Sequence, residues 1–272
     1  MSATANYCSA IDPVGMERYY FIFCKGDIML ERCPNGSYTI PCACEPPTPV
    51  KEWTNIMEVT PLRGVDVATY RLDSPVTGSD VYEMWPLRKS YYKLPHDMYL
   101  MAGKCEELLY WDSTTRFCGV CGAPMKMHSK ISKRCTECGK EVWPQLSTAV
   151  IVLVHKGDEV LLVHARNFKG YFFGLVAGFV ETGETLEDAV HREVLEETGI
   201  TITNLRYFGS QPWPFPCGLM VGFHADYVNG TVRLQRSELS AGAWFRKDNL
   251  PVIPEKLSIA RRLIDDWLGS SK

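Results

Sequence analysis

Ala149-Val150-Ile151-Val152-Leu153-Val154 is an unbroken apolar run, which predicts a strand buried on both faces. Glu159-Val160-Leu161-Leu162-Val163 follows across Lys156-Gly157-Asp158, so the two runs predict a hairpin. Shorter strands are predicted over residues 206–210, 220–227 and 243–246, and an amphipathic helix over residues 258–267. Upstream, residues 19–23 and 27–30 read as paired strands around Lys25-Gly26, and Asn35-Gly36 marks another turn. Glu45-Pro46-Pro47-Thr48-Pro49 predicts a surface loop or linker. Residues 65–72 and 81–85 predict strands, and residues 98–111 a helix. No internal repeat is visible. Strands and helices mixed without regular alternation fit an α+β layered fold.

Residues 178–200 read GFVETGETLEDAVHREVLEETGI, a glycine-rich turn followed by a glutamate-rich helix. At ~100° per residue, Glu193 and Glu197 project on the side of Leu186 and Val190, the core-facing residues. Carboxylates pressed together on an apolar face repel one another unless a cation sits among them. Oxygen donors suit a hard divalent ion such as Mg2+ or Mn2+. Glu193 and Glu197, one helical turn apart, are candidate metal ligands, and Glu196 lies close enough to bind a second ion or orient water. A solvated acidic helix is the commoner arrangement, but it would not turn these two carboxylates towards the apolar side.

Cys118-x-x-Cys121 is followed, after thirteen residues, by Cys135-x-x-Cys138. A glycine follows each pair, at Gly122 and Gly139, and lets the backbone fold around a metal. Four thiolates suit a closed, structural, tetrahedral Zn2+ site. The intervening segment is basic, with Lys126, His128, Lys130, Lys133 and Arg134. It reads either as a solvated hairpin or as a surface that tracks nucleic acid. Ser210-Gln211-Pro212-Trp213-Pro214-Phe215-Pro216 interleaves prolines with aromatics, which excludes a helix or a central strand and predicts a stiff loop.

The spacing from Gly178 through Glu184, Arg192-Glu193 and Glu196-Glu197 to Gly199-Ile200 resembles the Nudix signature. With the four-cysteine module and the proline–aromatic string, residues 111–263 resemble the NADH pyrophosphatase and NAD-capped RNA hydrolase family of Nudix enzymes. The resemblance implies a Nudix αβα sandwich over residues 145–272. A zinc ribbon over 113–144 and a small mixed N-terminal domain over 1–112 would precede it. It implies metal-dependent hydrolysis of the diphosphate bond of NAD(H) to nicotinamide mononucleotide and AMP, and removal of NAD caps from RNA to leave a 5′-monophosphate. Glu193, Glu196 and Glu197 would be catalytic. Glu238 and the carbonyl of Ala177 would join Glu193 and Glu197 around Mg2+ or Mn2+. Arg192 would pair with a box carboxylate, Glu184, and brace the loop. Phe179 and Trp213 would stack on nicotinamide, since flat rings stack on aromatic side chains. Gln211, Glu238, Ala260, Trp143 and Arg88 match further substrate-contact positions, and a homodimer is expected. Two positions depart from the family pattern: Trp143 stands where tyrosine is common before Pro-Gln, and Gly218 where serine is common after the last proline of the string.

The chain has 272 residues, 46% of them hydrophobic, enough for two domains and a metal module. Its net charge of −3 provides no bulk attraction to nucleic acid or membrane. No run approaches a membrane span, the N-terminus lacks a leader pattern, and eleven cysteines dominated by a metal-spaced quartet fit a reducing cytoplasm. Two rival readings are a broader dinucleotide or nucleoside-diphosphate-sugar hydrolase and a non-catalytic RNA-binding or regulatory Nudix protein. The proline–aromatic string argues against the first, and the intact Glu193, Glu196 and Glu197 against the second.

Overall fold

Lys25 and Gly26 both adopt positive φ (50° and 88°), the geometry of a tight hairpin turn. They join β1 (Arg18–Cys24) to antiparallel β2 (Asp27–Arg32). The structure, a computed structural model, describes residues 17–168 and 170–269. The expectation of no N-terminal leader falls on residues 1–16, outside the described residues. The chain forms two units, Met1–Gln145 and Leu146–Lys272.

In the first unit β3 (Tyr38–Thr39), β4 (Cys42–Ala43), β5 (Met57–Leu62), β6 (Val65–Arg71) and β7 (Tyr82–Pro86) complete a seven-stranded sheet. A short α1 (Leu87–Ser90) leads to α2 (His96–Thr114). Alternation along β1 divides its side chains between two cores. Phe21 and Phe23 pack with Met98, Ala102 and Cys105 of α2, whereas Tyr20 and Ile22 pack with Met29, Ala68 and Tyr70. Strand β5 was not expected from the sequence. It carries Pro61, which lacks an N–H to donate, and it is tolerated because β5 is an edge strand. The ribbon adds β8 (Met125–Ser129), β9 (Ser132–Cys135) and β10 (Glu141–Val142), in the order β10-β9-β8.

The second unit contains β11 (Ser147–Lys156), β12 (Glu159–Ala165), β13 (Val176–Phe179), α3 (Leu186–Thr198), β14 (Thr201–Trp213), β15 (Gly218–Asn229), β16 (Leu239–Arg246) and α4 (Ile259–Gly269). The sheet runs β14-β15-β11-β12-β16, with β13 also paired to β11. Strand β11 is parallel to β15 and antiparallel to β12 and β13. The apolar run resolves into two stripes: Val150, Val152 and Val154 meet Ala189, Val190 and Val194 of α3. Ile151 and Leu153 meet Ile259, Leu263 and Trp267 of α4 on the opposite face. This is the expected αβα sandwich, and it explains why residues 149–154 are apolar at every position.

The proline–aromatic string is not wholly a loop. Ser210–Trp213 forms the end of β14, with Ser210 opposite Val221, Gln211 opposite Met220, Pro212 opposite Leu219 and Trp213 opposite Gly218. Strand β14 lies at the sheet edge, so the missing N–H of Pro212 costs no ladder bond from a further strand. Only residues 214–217 turn. Among the described residues, no helix is long and apolar enough to cross a membrane.

Candidate active site and metal centres

Each Cys-x-x-Cys turn of the ribbon ends on a left-handed glycine, Gly122 at φ 76° and Gly139 at φ 73°. The N–H of Val120 points at Cys118 Sγ (3.4 Å) and that of Glu137 at Cys135 Sγ (3.5 Å). These backbone donors favour thiolate: they hold Cys118 below the ordinary thiol range and bring Cys135 to about 6. The Sγ atoms of Cys118, Cys121, Cys135 and Cys138 all lie within 4.8 Å of one another. Cys118 and Cys138 are 3.6 Å apart, and Cys121 and Cys135 3.4 Å. Four converging sulfurs around so small an apolar cluster (Cys118, Met125, Cys135) fit a structural Zn2+ that supplies the cohesion the core lacks.

The second centre begins where β13 hands over to α3. Thr185 caps the helix, its Oγ1 accepting from the Asp188 N–H at 3.1 Å, and Gly199 closes it in the left-handed region at φ 69°. Between them, Arg192 organises the glutamates. Its Nε and Nη2 donate to the two Glu184 oxygens at 2.7 and 2.9 Å, and Nη2 also donates to the Phe179 carbonyl at 2.9 Å. Its Nη1 reaches Glu193 Oε1 at 2.9 Å and, more weakly, Glu196 Oε2 at 3.3 Å. Arg192 lowers the Glu184 carboxyl to about 2. The expected Arg192–Glu184 brace is therefore present, and it extends to Glu193 and Glu196.

Glu193 and Glu197 do face inward, at 9% and 4% exposure. Burial raises both carboxyls, and Arg192 opposes the shift at Glu193. At Glu197, burial together with Glu193 and Glu238 brings the value to about 8, and Glu197 Oε2 is buried without a hydrogen-bond partner. An orphaned carboxylate oxygen among three other acids is a cation-shaped deficit, and the oxygen donor set fits a hard divalent ion. Gly178 makes room for the Glu193 carboxyl, because a Cβ at that position would overlap it. Gly178→Ala should therefore displace Glu193 and lower kcat by about 100-fold, the scale of a misplaced catalytic group. Steady-state kinetics beside a melting curve check this, and an unchanged kcat would show that the cradle is unnecessary.

Glu238 is expected from the family resemblance alone, and the loop that delivers it has no periodicity or spacing of its own. It is held by the carbonyls that end α3: Arg233 N–H donates to Thr198 O and Gln235 N–H to Glu197 O, both at 2.8 Å. From the other side Arg166 donates its N–H to Glu238 O at 2.8 Å and its Nε to Arg236 O at 2.6 Å. Arg166 was missed in the sequence, since its role lies entirely in bonds to backbone.

The remaining expected residues are more dispersed. Ala177 is half-buried on β13, opposite Ile151, and Phe179 is 65% exposed. Trp213 is half-buried and meets Phe215 edge-on, centroids 5.3 Å apart. A Cβ at Gly218 would stand 3.0 Å from the Trp213 carbonyl, so glycine lets β15 approach the tryptophan closely. Gln211 is buried, with Nε2 donating to Leu257 O at 2.8 Å and Oε1 unpartnered. Ala260 is buried with the α4 core, apart from the α3 carboxylates. Trp143 and Arg88 are exposed residues of the first unit.

Residues 144–268 match the NUDIX domain model, and residues 113–142 match the NADH pyrophosphatase zinc ribbon domain model. The NAD-capped RNA hydrolase NudC of Pseudomonas aeruginosa is 42% identical over 210 residues, which cover 76% of this chain and 74% of that protein. The protein of the same name from Stutzerimonas stutzeri is 41% identical over 76% of this chain and 75% of its own length. The one from Haemophilus influenzae is 46% identical over 66% and 70%. With the zinc ribbon and the Nudix helix both in place and this degree of identity, the chain belongs to the NudC family of Nudix hydrolases.

Proposed function

We propose that this chain hydrolyses the diphosphate bond of NAD(H), adding water to give nicotinamide mononucleotide and AMP, and that it cuts the same bond in NAD-capped RNA to leave a 5′-monophosphate. The observation that carries the reading is the pair of buried carboxylates Glu193 and Glu197, with its orphaned oxygen, set beside Arg192 and joined by the exposed Glu238. Glu193, Glu197, Glu238 and the Ala177 carbonyl are the ligands in this reading. A bound Mg2+ or Mn2+ supplies charge neutralisation of the diphosphate and a lowered pKa for water. Glu196, with its side chain 54% exposed and only weakly paired to Arg192, is free to accept a proton from the attacking water. Arg192 keeps Glu193 and the Phe179 backbone in register.

Phe179 and Trp213 are the proposed surfaces for the nicotinamide ring, and Gln211, Glu238, Ala260, Trp143 and Arg88 further contacts. Gln211 and Ala260 would act through small adjustments, being buried as they stand. The division into residues 1–112, 113–144 and 145–272, a homodimeric working unit and a cytoplasmic setting belong to the same proposal.

Purified protein incubated in parallel with NADH, NAD+, ADP-ribose, diadenosine polyphosphates and NAD-capped RNA, with Mg2+ or Mn2+, tests the proposal. Nicotinamide mononucleotide and 5′-monophosphate RNA should be the preferred products. A clear preference for ADP-ribose or diadenosine polyphosphates would replace it with the broader hydrolase reading.

Trp213→Ala separates stacking from packing. Loss of a stacked aromatic contact of about 0.5–1.5 kcal/mol corresponds to roughly two- to twelve-fold in kcat/KM for NADH. Turnover of ADP-ribose, which lacks nicotinamide, should hold. An equal fall for both substrates would mean that Trp213 only braces the edge of β14.

A further inference from the structure

The ribbon register sets Lys126 of β8 directly opposite Arg134 of β9, and both are exposed. Like charges facing each other across a strand pair are destabilising. Glu141 lies on the far side of Arg134, but among the described residues the ribbon's ion pairs are confined to Lys130 with Glu58 and Lys133 with Asp112. The repulsion between Lys126 and Arg134 is thus left standing within the fold. It is the arrangement expected of a surface completed by a polyanion.

Three further observations specify that polyanion. Residues 113–142 carry six Lys and Arg against two Glu, whereas the whole chain carries 29 against 32 Asp and Glu, so the positive charge is concentrated here. Lys126 and Arg116 line a groove of about 330 Å3 with Asn55, Ser113 and the Lys133–Asp112 ion pair, so three cations face one acid there. Phe117 is 64% exposed beside Arg116, whose guanidinium carbon lies 5.9 Å from the ring centroid. An exposed aromatic among spaced cations suits a single strand, whose bases stack while its phosphates pair. An acidic peptide would use the cations and leave the ring without a partner.

We propose that the ribbon face formed by Lys126, Arg134 and Arg116, with Phe117 beside them, binds the single-stranded body of the RNA substrate; this rests on the decapping reading above. The zinc then has a second consequence: by locking the hairpin register it keeps Lys126 and Arg134 together.

The test uses zinc-loaded full-length protein and the double variants Lys126→Gln/Arg134→Gln and Lys126→Glu/Arg134→Glu, each checked for zinc content. Binding of an uncapped, 5′-monophosphate single-stranded RNA is followed by fluorescence anisotropy across a salt series. Removing two phosphate contacts should weaken binding roughly 10- to 30-fold at 0.1 M salt and flatten the log–log salt slope by about 1.4. In the kinetic arm, kcat/KM for NAD-capped RNA should fall by a similar factor while that for NADH stays within about two-fold, since NADH carries no strand to bind. RNA binding and salt slope equal to the parent's in a zinc-replete glutamine variant would overturn the proposal and leave the face to an acidic protein. If the parent does not decap RNA at all, the functional reading fails, and the binding arm still decides the surface on its own.

Discussion

Glu197→Gln should abolish turnover, by at least about 100-fold, the scale reached even when only an outer partner of a metal ligand is lost. The variant keeps the shape and burial of the side chain but removes the charge that completes the carboxylate cluster. The same substitution carries a stability signature in metal-free protein. The Glu197 carboxyl sits at about 8 in the fold, against an ordinary value of 4.5, because burial and the neighbouring Glu193 and Glu238 disfavour its charge. The native state therefore binds a proton that the unfolded chain has released between these values. The contribution of this group to stability is greatest below pH 4.5 and declines as pH rises to about 8, by about 3–5 kcal/mol. Glutamine cannot titrate, so in chelator the variant should lose less stability than the parent across that window. Denaturant titrations at pH 5 and pH 8, beside kinetics with saturating Mg2+ or Mn2+, measure both effects. Near-normal turnover would remove Glu197 from the metal site.

Cys118→Ser should cost the ribbon its structure rather than the chemistry its residues. A structural zinc in a small module supplies roughly 10–16 kcal/mol of apparent binding energy, and the apolar cluster around Cys118, Met125 and Cys135 is too small to replace it. One zinc per chain is expected in the parent and close to none in the variant. Hydrogen exchange should show residues 113–142 losing protection while α3, capped by Thr185 and Gly199 and packed through Val190 and Val194, retains it. Full zinc occupancy in the variant, or none in the parent purified without chelator, would show that the four sulfurs do not form the site.

Much of this protein was legible in local sequence, because the determining interactions are local. The helical period alone turned Glu193 and Glu197 towards the Val190 side, and their burial follows. The Cys-x-x-Cys-Gly turns bring their sulfurs together through backbone geometry a few residues long. The same holds for the positive-φ turn at Lys25-Gly26 and for the buried run of β11. What the tertiary structure decided depends on partners distant in the chain. Glu238 joins Glu197 only because Gln235 and Arg233 cap the α3 carbonyls and Arg166 holds the loop from the other side. Pro212, whose string predicts a loop, and Pro61 are both accommodated in strands because β14 and β5 fall at sheet edges, and edge position is a property of strand order. The burial of Gln211 is likewise a tertiary result, because strand alternation and the Leu257 carbonyl draw its side chain inside. Lys126 faces Arg134 through register alone. Spacing within one segment fixes a helix face or a metal knuckle, whereas pairing between segments is settled by whichever packing buries the most apolar surface, and no single stretch of residues encodes that.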